Sequence, residues 1–447
     1  MTEAERKKAM RMILLTASLG GLSFLSFNNG LLLAYFSYLN VPSATILLLL
    51  ALMPLAQFVF VLPFSFLADI LGKKIIGNIG LISSLFGFVL LIIASILPGN
   101  FHIWIIGAGI ILFGIGTAMT LGNWFALLHP IIPKKIRGRF FGRLRLTWQS
   151  IGIVLTLFFI YILEQFPSLG IYQAVLAIIS IFMAVRILFY QQIPELEKPI
   201  LPKESFLKTL MNVISIPDYI PFCSYCFLLT FFTAACPQIF NLIEKDLLSF
   251  SKTEIVFIGN LLIVGALAGF VLGGRMVDKL GTKYVFMFCH FGFGAILILF
   301  LMRSLFPGKI IVFVGILTLL FGLVQAASGI AMTSETLTLI PQENKSLATG
   351  VWFTLYSAGA GLSGILSSKA LELNLINSEW SLFGLPMSSY DGLLLMFGTM
   401  VLLMTVTLGL IPSLIKKTPA AWILQITYRL YLKNPVKIIR SGPSVIF

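Results

Sequence analysis

Long apolar runs, each separated from the next by a short polar or turn-forming segment, recur twelve times along the chain. They cover residues 12–40, 42–68, 75–97, 101–128, 146–163 and 169–190, and then 219–243, 255–274, 284–301, 310–340, 347–368 and 392–414. A helix that crosses a bilayer needs about 20 apolar residues at about 1.5 Å rise each, and each run is close to that length or longer. The runs are apolar all round, whereas barrel strands alternate with period two over about 10 residues. The pattern therefore predicts an all-α polytopic membrane protein with twelve transmembrane helices. Arg186 breaks the charge-free character of the first six runs, and Glu335 is the one acidic residue inside any of the twelve.

The polar segments between the runs repeat. LADILGKK at residues 67–74 and MVDKLGTK at residues 276–283 share an Asp-x-x-Gly-x-Lys pattern, and Asp69, Gly72 and Lys74 precede Asp278, Gly281 and Lys283 by a constant 209 residues. A second echo pairs Pro133 and Gly142 with Pro341 and Gly350 at an offset of 208. Self-similarity across half a chain marks a duplication. The expected organisation is two six-helix pseudo-repeats, residues 1–190 and 219–414, joined by a cytoplasmic linker at 191–218, the longest charged and proline-bearing interruption. A basic tail follows at 415–447. Its helical spacing of Trp422, Ile426 and Leu430 suits an interfacial helix, while Pro419 and Pro435 suit an irregular tail.

Composition agrees with the pattern. The chain is 58% hydrophobic and 11% charged, against roughly 45–50% and about 25% in soluble domains. With both termini placed in the cytoplasm, Lys245, Lys252, Arg303, Lys309 and Lys369 fall outside, and the rest of the 31 Lys and Arg residues fall inside. That asymmetry is the positive-inside signature, and it predicts a multi-pass plasma (inner) membrane protein. The net charge of +14 then reports topology and contact with anionic headgroups, not nucleic-acid binding. The loop PIIPKKIRGRFFGRLR, densest in charge, fits lipid contact and topology, and a gating or anion-binding role at the cytoplasmic mouth stays open. The basic start resembles a secretory signal, but the run after it is too long for one. Cys223, Cys226, Cys236 and Cys289 read as small packing residues. No metal cluster, cofactor motif or paired carboxylates occur in the spans, so the chain is not expected to be an enzyme, and no cofactor is expected.

At the two repeated turns the sequence resembles the major facilitator superfamily (MFS), whose signature is Gly-x-x-x-Asp-(Arg/Lys)-x-Gly-(Arg/Lys)-(Arg/Lys) after the second and eighth helices. Gly274, Asp278, Lys279, Gly281 and Lys283 match, with Thr282 at a usually basic position. The first copy keeps Asp69, Gly72, Lys73 and Lys74, but has Ser65 for the leading glycine and Ile70 for the first basic residue. The resemblance implies the MFS fold and a gating latch formed by these residues on the cytoplasmic side. Drug and proton antiporters of that superfamily carry an arginine four residues before a Gly-x-Gly in the fourth helix; here Ile110 precedes Gly114 and Gly116. Their Gly-Pro in the fifth helix is also missing, so drug–proton antiport is disfavoured.

In that architecture helices 1, 4, 7 and 10 line the cavity, where polar side chains need partners or solvent. This makes Asn28, Asn29, Asn123, Gln238, Asn241 and Gln325 candidate substrate-binding residues, with Gln149, Trp352 and Tyr356 from helices 5 and 11. Amides that both donate and accept suit sugars, nucleosides, amino acids or similar solutes; interhelical hydrogen bonding is the competing role. Glu335 is the candidate coupling residue. The expected function is secondary transport of a small organic solute by a monomeric transporter. The alternative is a transporter-like sensor or assembly factor that binds without turnover.

Overall fold

The computed structural model describes residues 2–97, 101–128, 130–133, 137–196, 205–339, 345–373, 375–376, 380–382 and 384–407. The basic tail and Pro341 lie outside the described residues. The first repeat is built from α1 (Glu3–Leu25), α2 (Leu31–Tyr38), α3 (Ser43–Leu71), α4 (Lys73–Ala94), α5 (Phe101–Leu128), α6 (Arg137–Gln165) and α7 (Leu169–Tyr190). A short linker helix, α8 (Phe206–Ile214), leads to α9 (Tyr219–Thr233), α10 (Cys236–Asp246), α11 (Lys252–Leu280), α12 (Thr282–Leu301), α13 (Ile310–Leu339), α14 (Lys345–Glu372) and α15 (Ser389–Thr407).

Eleven of the spans are apolar enough to cross a membrane by hydropathy as well as length. The twelfth is α14, which dilutes its apolar residues with Ser357, Ser363, Ser367 and Ser368, all buried among neighbouring helices. Small and hydroxyl side chains let helix backbones approach closely inside a bilayer, and α14 lies against both α3 and α9. Gly364 faces Ala51, Gly361 faces Leu55, and Gly350 faces Ser65, so α3 and α14 touch from one end of the molecule to the other. Outward-facing Val154, Phe158, Tyr161, Phe288 and Val406 remain exposed, as a lipid-facing surface requires.

The structure revises or adds to the sequence reading at four places. The first and seventh runs are each two helices, broken at residues 26–30 and at Ala234 and Ala235. The fifth span begins at Arg137, nine residues before the apolar run, so Trp148 and Gln149 sit in its fourth turn rather than at its start. Glu335 is not alone: α10 carries Glu244 and α15 carries Asp391, both fully buried, because the helices extend one or more residues past the apolar runs. Finally, a two-stranded antiparallel hairpin, β1 (Trp380–Leu382) and β2 (Leu385–Met387), joins α14 to α15.

The ends of the bundle differ. At the end bearing Gly72 and Gly281, the motif end, one apolar cluster of Ala9, Ile13, Leu128, Ile131 and Tyr190 belongs to the first repeat. At the opposite end, the far end, a larger cluster adds Leu242, Ile255 and Val256 of the second repeat to Leu31, Phe36 and Ile46 of the first. The far end is thus sealed by side chains from both repeats.

Candidate functional site

Both motif turns bend where no side chain is comfortable. Gly72 (φ +107°) and Gly281 (φ +87°) each end one helix and start the next, and positive φ is costly for any residue with a Cβ. Each turn exposes the amino terminus of a helix, and each is closed differently. In the first repeat Glu195, just past α7, accepts hydrogen bonds from the backbone N–H groups of Lys73 (2.7 Å) and Lys74 (3.3 Å). The carboxylate satisfies two donors that a helix start leaves unpaired and sits at the positive end of the helix dipole. Asn123 of α5 donates to the Lys73 carbonyl (3.0 Å), and Tyr190 donates to the same oxygen (3.4 Å).

In the second repeat Thr282, where the motif expects a basic residue, donates through its hydroxyl to Glu335 of α13 at 2.7 Å. Asn123 and Glu335 therefore do the same job: each ties the fourth helix of its repeat to the start of the third. The structure places both at the turns, away from the midspan positions where sequence reasoning put Asn123. Gly274 meets nothing where a Cβ would stand, so no steric demand explains the leading glycine of this motif. Asp278 and Lys279 are exposed, and Asp69, Lys73, Lys74 and Lys283 are half-buried.

The helix breaks bring a second group together. In the first, Gly30 takes φ +79° and Asn29 caps α2 by accepting from Leu31 N–H (3.2 Å), while its amide donates to Thr156 of α6 (3.3 Å). Each end of the Asn29 amide thus holds one bond that supports the break. In the second, Pro237 opens α10, where its missing N–H costs nothing, and Ser363 of α14 accepts from Ala235 N–H at 3.2 Å. With its amide turned so that the nitrogen faces the break, Gln238 donates to the Ala234 carbonyl (2.9 Å) and shares the Ala235 carbonyl (3.2 Å) with Ile239 N–H (3.0 Å). The same amide group lies 3.3 Å from the Asn28 side chain. The two breaks thus meet across the interface between repeats, with Asn241 beside Gly30.

Other candidates scatter. Gln149 is buried on α6 with an unpartnered Oε1. Gln325 is half-buried on α13. Trp352 packs against Phe353 and Tyr356 of its own helix, and Tyr356 stays 37% exposed in midspan.

Several residues escaped sequence reasoning. Gln57 of α3 donates to Thr117 of α5 (3.0 Å) and accepts from Ser357 of α14 (3.4 Å), a polar node across the repeats. At the far end Ser43 donates to Asp246 (2.6 Å), Lys245 donates to Ser43 (2.8 Å), and Tyr390 donates to Asp246. Lys252 stands over the Tyr38 ring at 4.3 Å. Arg303 and Asp391 form a buried two-pronged ion pair. Glu244 is 0% exposed, and neither carboxylate oxygen has a partner among the described residues. Its signal was present, one residue beyond the end of the seventh apolar run.

The architecture has known counterparts. The sequence model described as Major Facilitator Superfamily matches residues 12–364. No curated protein matches the chain in sequence. Among solved structures, a D-xylose-proton symporter superposes with TM-score 0.70 at 12% identity, covering 90% of this chain and 96% of that one. The xylose transporter XylE from E. coli, in a partially occluded inward open conformation, gives 0.69 at 12% identity over 92% and 99%. A mutant of the nucleoside transporter NupG gives 0.67 at 15% identity over 91% and 100%. At these identities the structural likeness speaks for the fold; the match over most of the sequence places this multi-pass membrane chain in the major facilitator superfamily.

Proposed function

We propose that this protein is a secondary transporter that carries a small polar organic solute by alternating access between its two six-helix halves, residues 1–190 and 219–414, joined by the linker at 191–218. The observation that carries the reading is the meeting of two helix breaks across the interface, where Asn28, Gln238 and Asn241 converge. Interrupted helices near the midplane supply backbone and amide groups that an unbroken helix cannot, and transporters bind substrate at such places. Gln149, Gln325, Trp352 and Tyr356 extend the candidate binding surface, whereas Asn29 supports the break from behind. Fold relatives named for xylose and nucleosides, and a POT family transporter in complex with 5-aminolevulinic acid, agree with a polar cargo.

In this reading both termini and the motif end face the cytoplasm of a plasma membrane, and the sealed far end faces outward. Rocking the halves breaks the Ser43–Asp246 contact and closes the motif end through the turns at Gly72 and Gly281. Glu244, with no partner among the described residues, joins Glu335 as a candidate coupling group. Purified protein in liposomes loaded with unlabelled sugars, nucleosides or amino acids should take up the labelled counterpart of one class by counterflow. Asn28→Ala and Gln238→Ala should each slow that exchange by tenfold or more. Saturable binding with no counterflow for any bound solute would refute transport and favour a ligand sensor.

A further inference from the structure

Arg186 lies within the seventh helix and none of the interactions above uses it. Its guanidinium packs against Gly20 of α1 so closely that any side chain at that position would collide with it. Nε is enclosed and has no hydrogen-bond partner, and no carboxylate among the described residues pairs with the group. The nearest acid on the following segment, Glu195, is committed to the start of α4. Tyr190, one turn on, already donates to the Lys73 carbonyl. An arginine cannot shed its charge as a lysine can, and an unpaired cation inside a bilayer is among the most expensive groups a membrane protein can hold.

A second orphan lies on the same helix face. Thr16, one turn before Gly20 and therefore aligned with it, is 0% exposed, and its hydroxyl has no partner among the described residues. Beside it, Gly21 gives room to the Trp148 ring of α6. The paired glycines thus hold a guanidinium and an indole side by side, with an unused hydroxyl a turn away, between α1, α6 and α7. These helices pack directly on one another.

We propose that Arg186 and Thr16 form a binding site for an anionic group, a carboxylate or a phosphate. The planar guanidinium offers two parallel donors to such an oxyanion and the hydroxyl a third. The proposal narrows the cargo to solutes bearing such a group. It rests on the transport reading only for what the anion belongs to, since binding itself needs no turnover. A lipid headgroup carries the same chemistry and could also reach an arginine near the end of a helix.

The test measures thermal stabilisation of the full chain in neutral detergent at fixed ionic strength, titrated with inorganic phosphate and with succinate, chloride serving as control. A parallel titration uses phosphatidylglycerol in mixed micelles. Saturable stabilisation by one of the soluble anions is expected, weakened tenfold or more by Arg186→Gln, less by Arg186→Lys, and several-fold by Thr16→Val. Stabilisation by phosphatidylglycerol alone would make this a lipid contact and overturn the proposal. So would an unchanged soluble-anion affinity in Arg186→Gln. Should that variant not fold, an unchanged affinity in Thr16→Val decides equally against it. Because this binding is read without flux, a failure here leaves the counterflow result standing, and the reverse.

Discussion

Ser43, at the start of α3, donates a 2.6 Å hydrogen bond to Oδ2 of Asp246 at the end of α10, so a hydroxyl of one repeat is held by a carboxylate of the other. Lys245 bonds to both, reaching Asp246 Oδ1 at 2.9 Å. The cluster lies at the rim of the far-end apolar seal, partly exposed, and its worth is correspondingly modest. Replacing Asp246 by Asn should weaken the closed far end by about 1 kcal/mol, shifting the open fraction roughly fivefold. Spin labels at the exposed far-end positions Ile96 and Leu305, one in each repeat, would report this as added population at longer distance. Ser43→Ala should shift the same distribution in the same direction, and an unchanged distribution in both variants would sink the idea of a far-end gate.

Glu195 predicts a second effect. Its two oxygens replace solvent as acceptors for the first N–H groups of α4, donors that a half-buried helix start would otherwise leave short of partners. Glu195→Ala should destabilise by about 1–2 kcal/mol, the usual worth of a cap, and lower the apparent Tm in detergent by a few degrees. Glu195→Gln keeps one acceptor oxygen and should fall between. Equal melting of all three proteins would show that the turn holds without the linker.

The glycines of the two motifs should separate in the same assay. Gly72→Ala and Gly281→Ala force a Cβ into positive φ and should cost about 1–2 kcal/mol each. Gly274→Ala occupies open space in a regular helix and should be neutral or stabilising by about 0.5–1 kcal/mol. A large loss at Gly274 would mean that its place in the motif answers to a conformation other than this one.

What the sequence made legible follows from which forces are local. Apolar runs, loop charges and the 209-residue echo are one-dimensional signals, and they sufficed for the spans and the duplication. The breaks in the first and seventh spans were hidden because Asn29, Gly30 and Pro237 are tolerated in membrane helices whenever the freed backbone finds partners; here the Asn29 side chain, steadied by Thr156, takes Leu31 N–H, and Ser363 of a distant helix takes Ala235 N–H. Glu195 was invisible for a similar reason: a carboxylate in a charged linker has no local mark that distinguishes a cap from a solvated side chain. Asn123 read as a cavity residue because polarity in midspan shows need of a partner, not which partner. Even Thr282, which looked like a departure from the motif, turns out to supply the hydroxyl that Glu335 accepts.

The Arg303 and Asp391 pair should prove structural. Asp391 is fully buried, its carboxylate grips the guanidinium at both oxygens, and Ser388 N–H (2.8 Å) and hydroxyl (2.7 Å) complete its shell. Removing one partner of such a pair strands the other charge at a cost of about 3–5 kcal/mol. Asp391→Ala should therefore expose or unfold the far end of α15, detectable as lost monodispersity or faster proteolysis near the β1–β2 hairpin. The double variant Arg303→Met, Asp391→Leu should recover most of the loss, since well-packed apolar pairs often replace buried ion pairs without penalty. If the double variant is no better than the single, the pair has a function beyond packing.

Glu244 leads to the prediction with most bearing on mechanism. The following residues Lys245 and Asp246 pair with each other and with Ser43, leaving Glu244 alone behind the far-end seal. A bare carboxylate there would be costly, so a proton or a small cation should accompany it whenever the far end is closed. Solute accumulation driven by a proton or sodium gradient should then be lost in Glu244→Gln, while counterflow without a gradient persists within about twofold, because the amide resembles the neutral carboxyl in shape. Glu335→Gln should behave differently: with Thr282 as its partner at the motif end, its loss should slow both modes together. Gradient-driven accumulation that survives in Glu244→Gln but fails in Glu335→Gln would move the coupling site to α13, and accumulation that survives in both would leave facilitated diffusion, or a co-ion held by neutral oxygens.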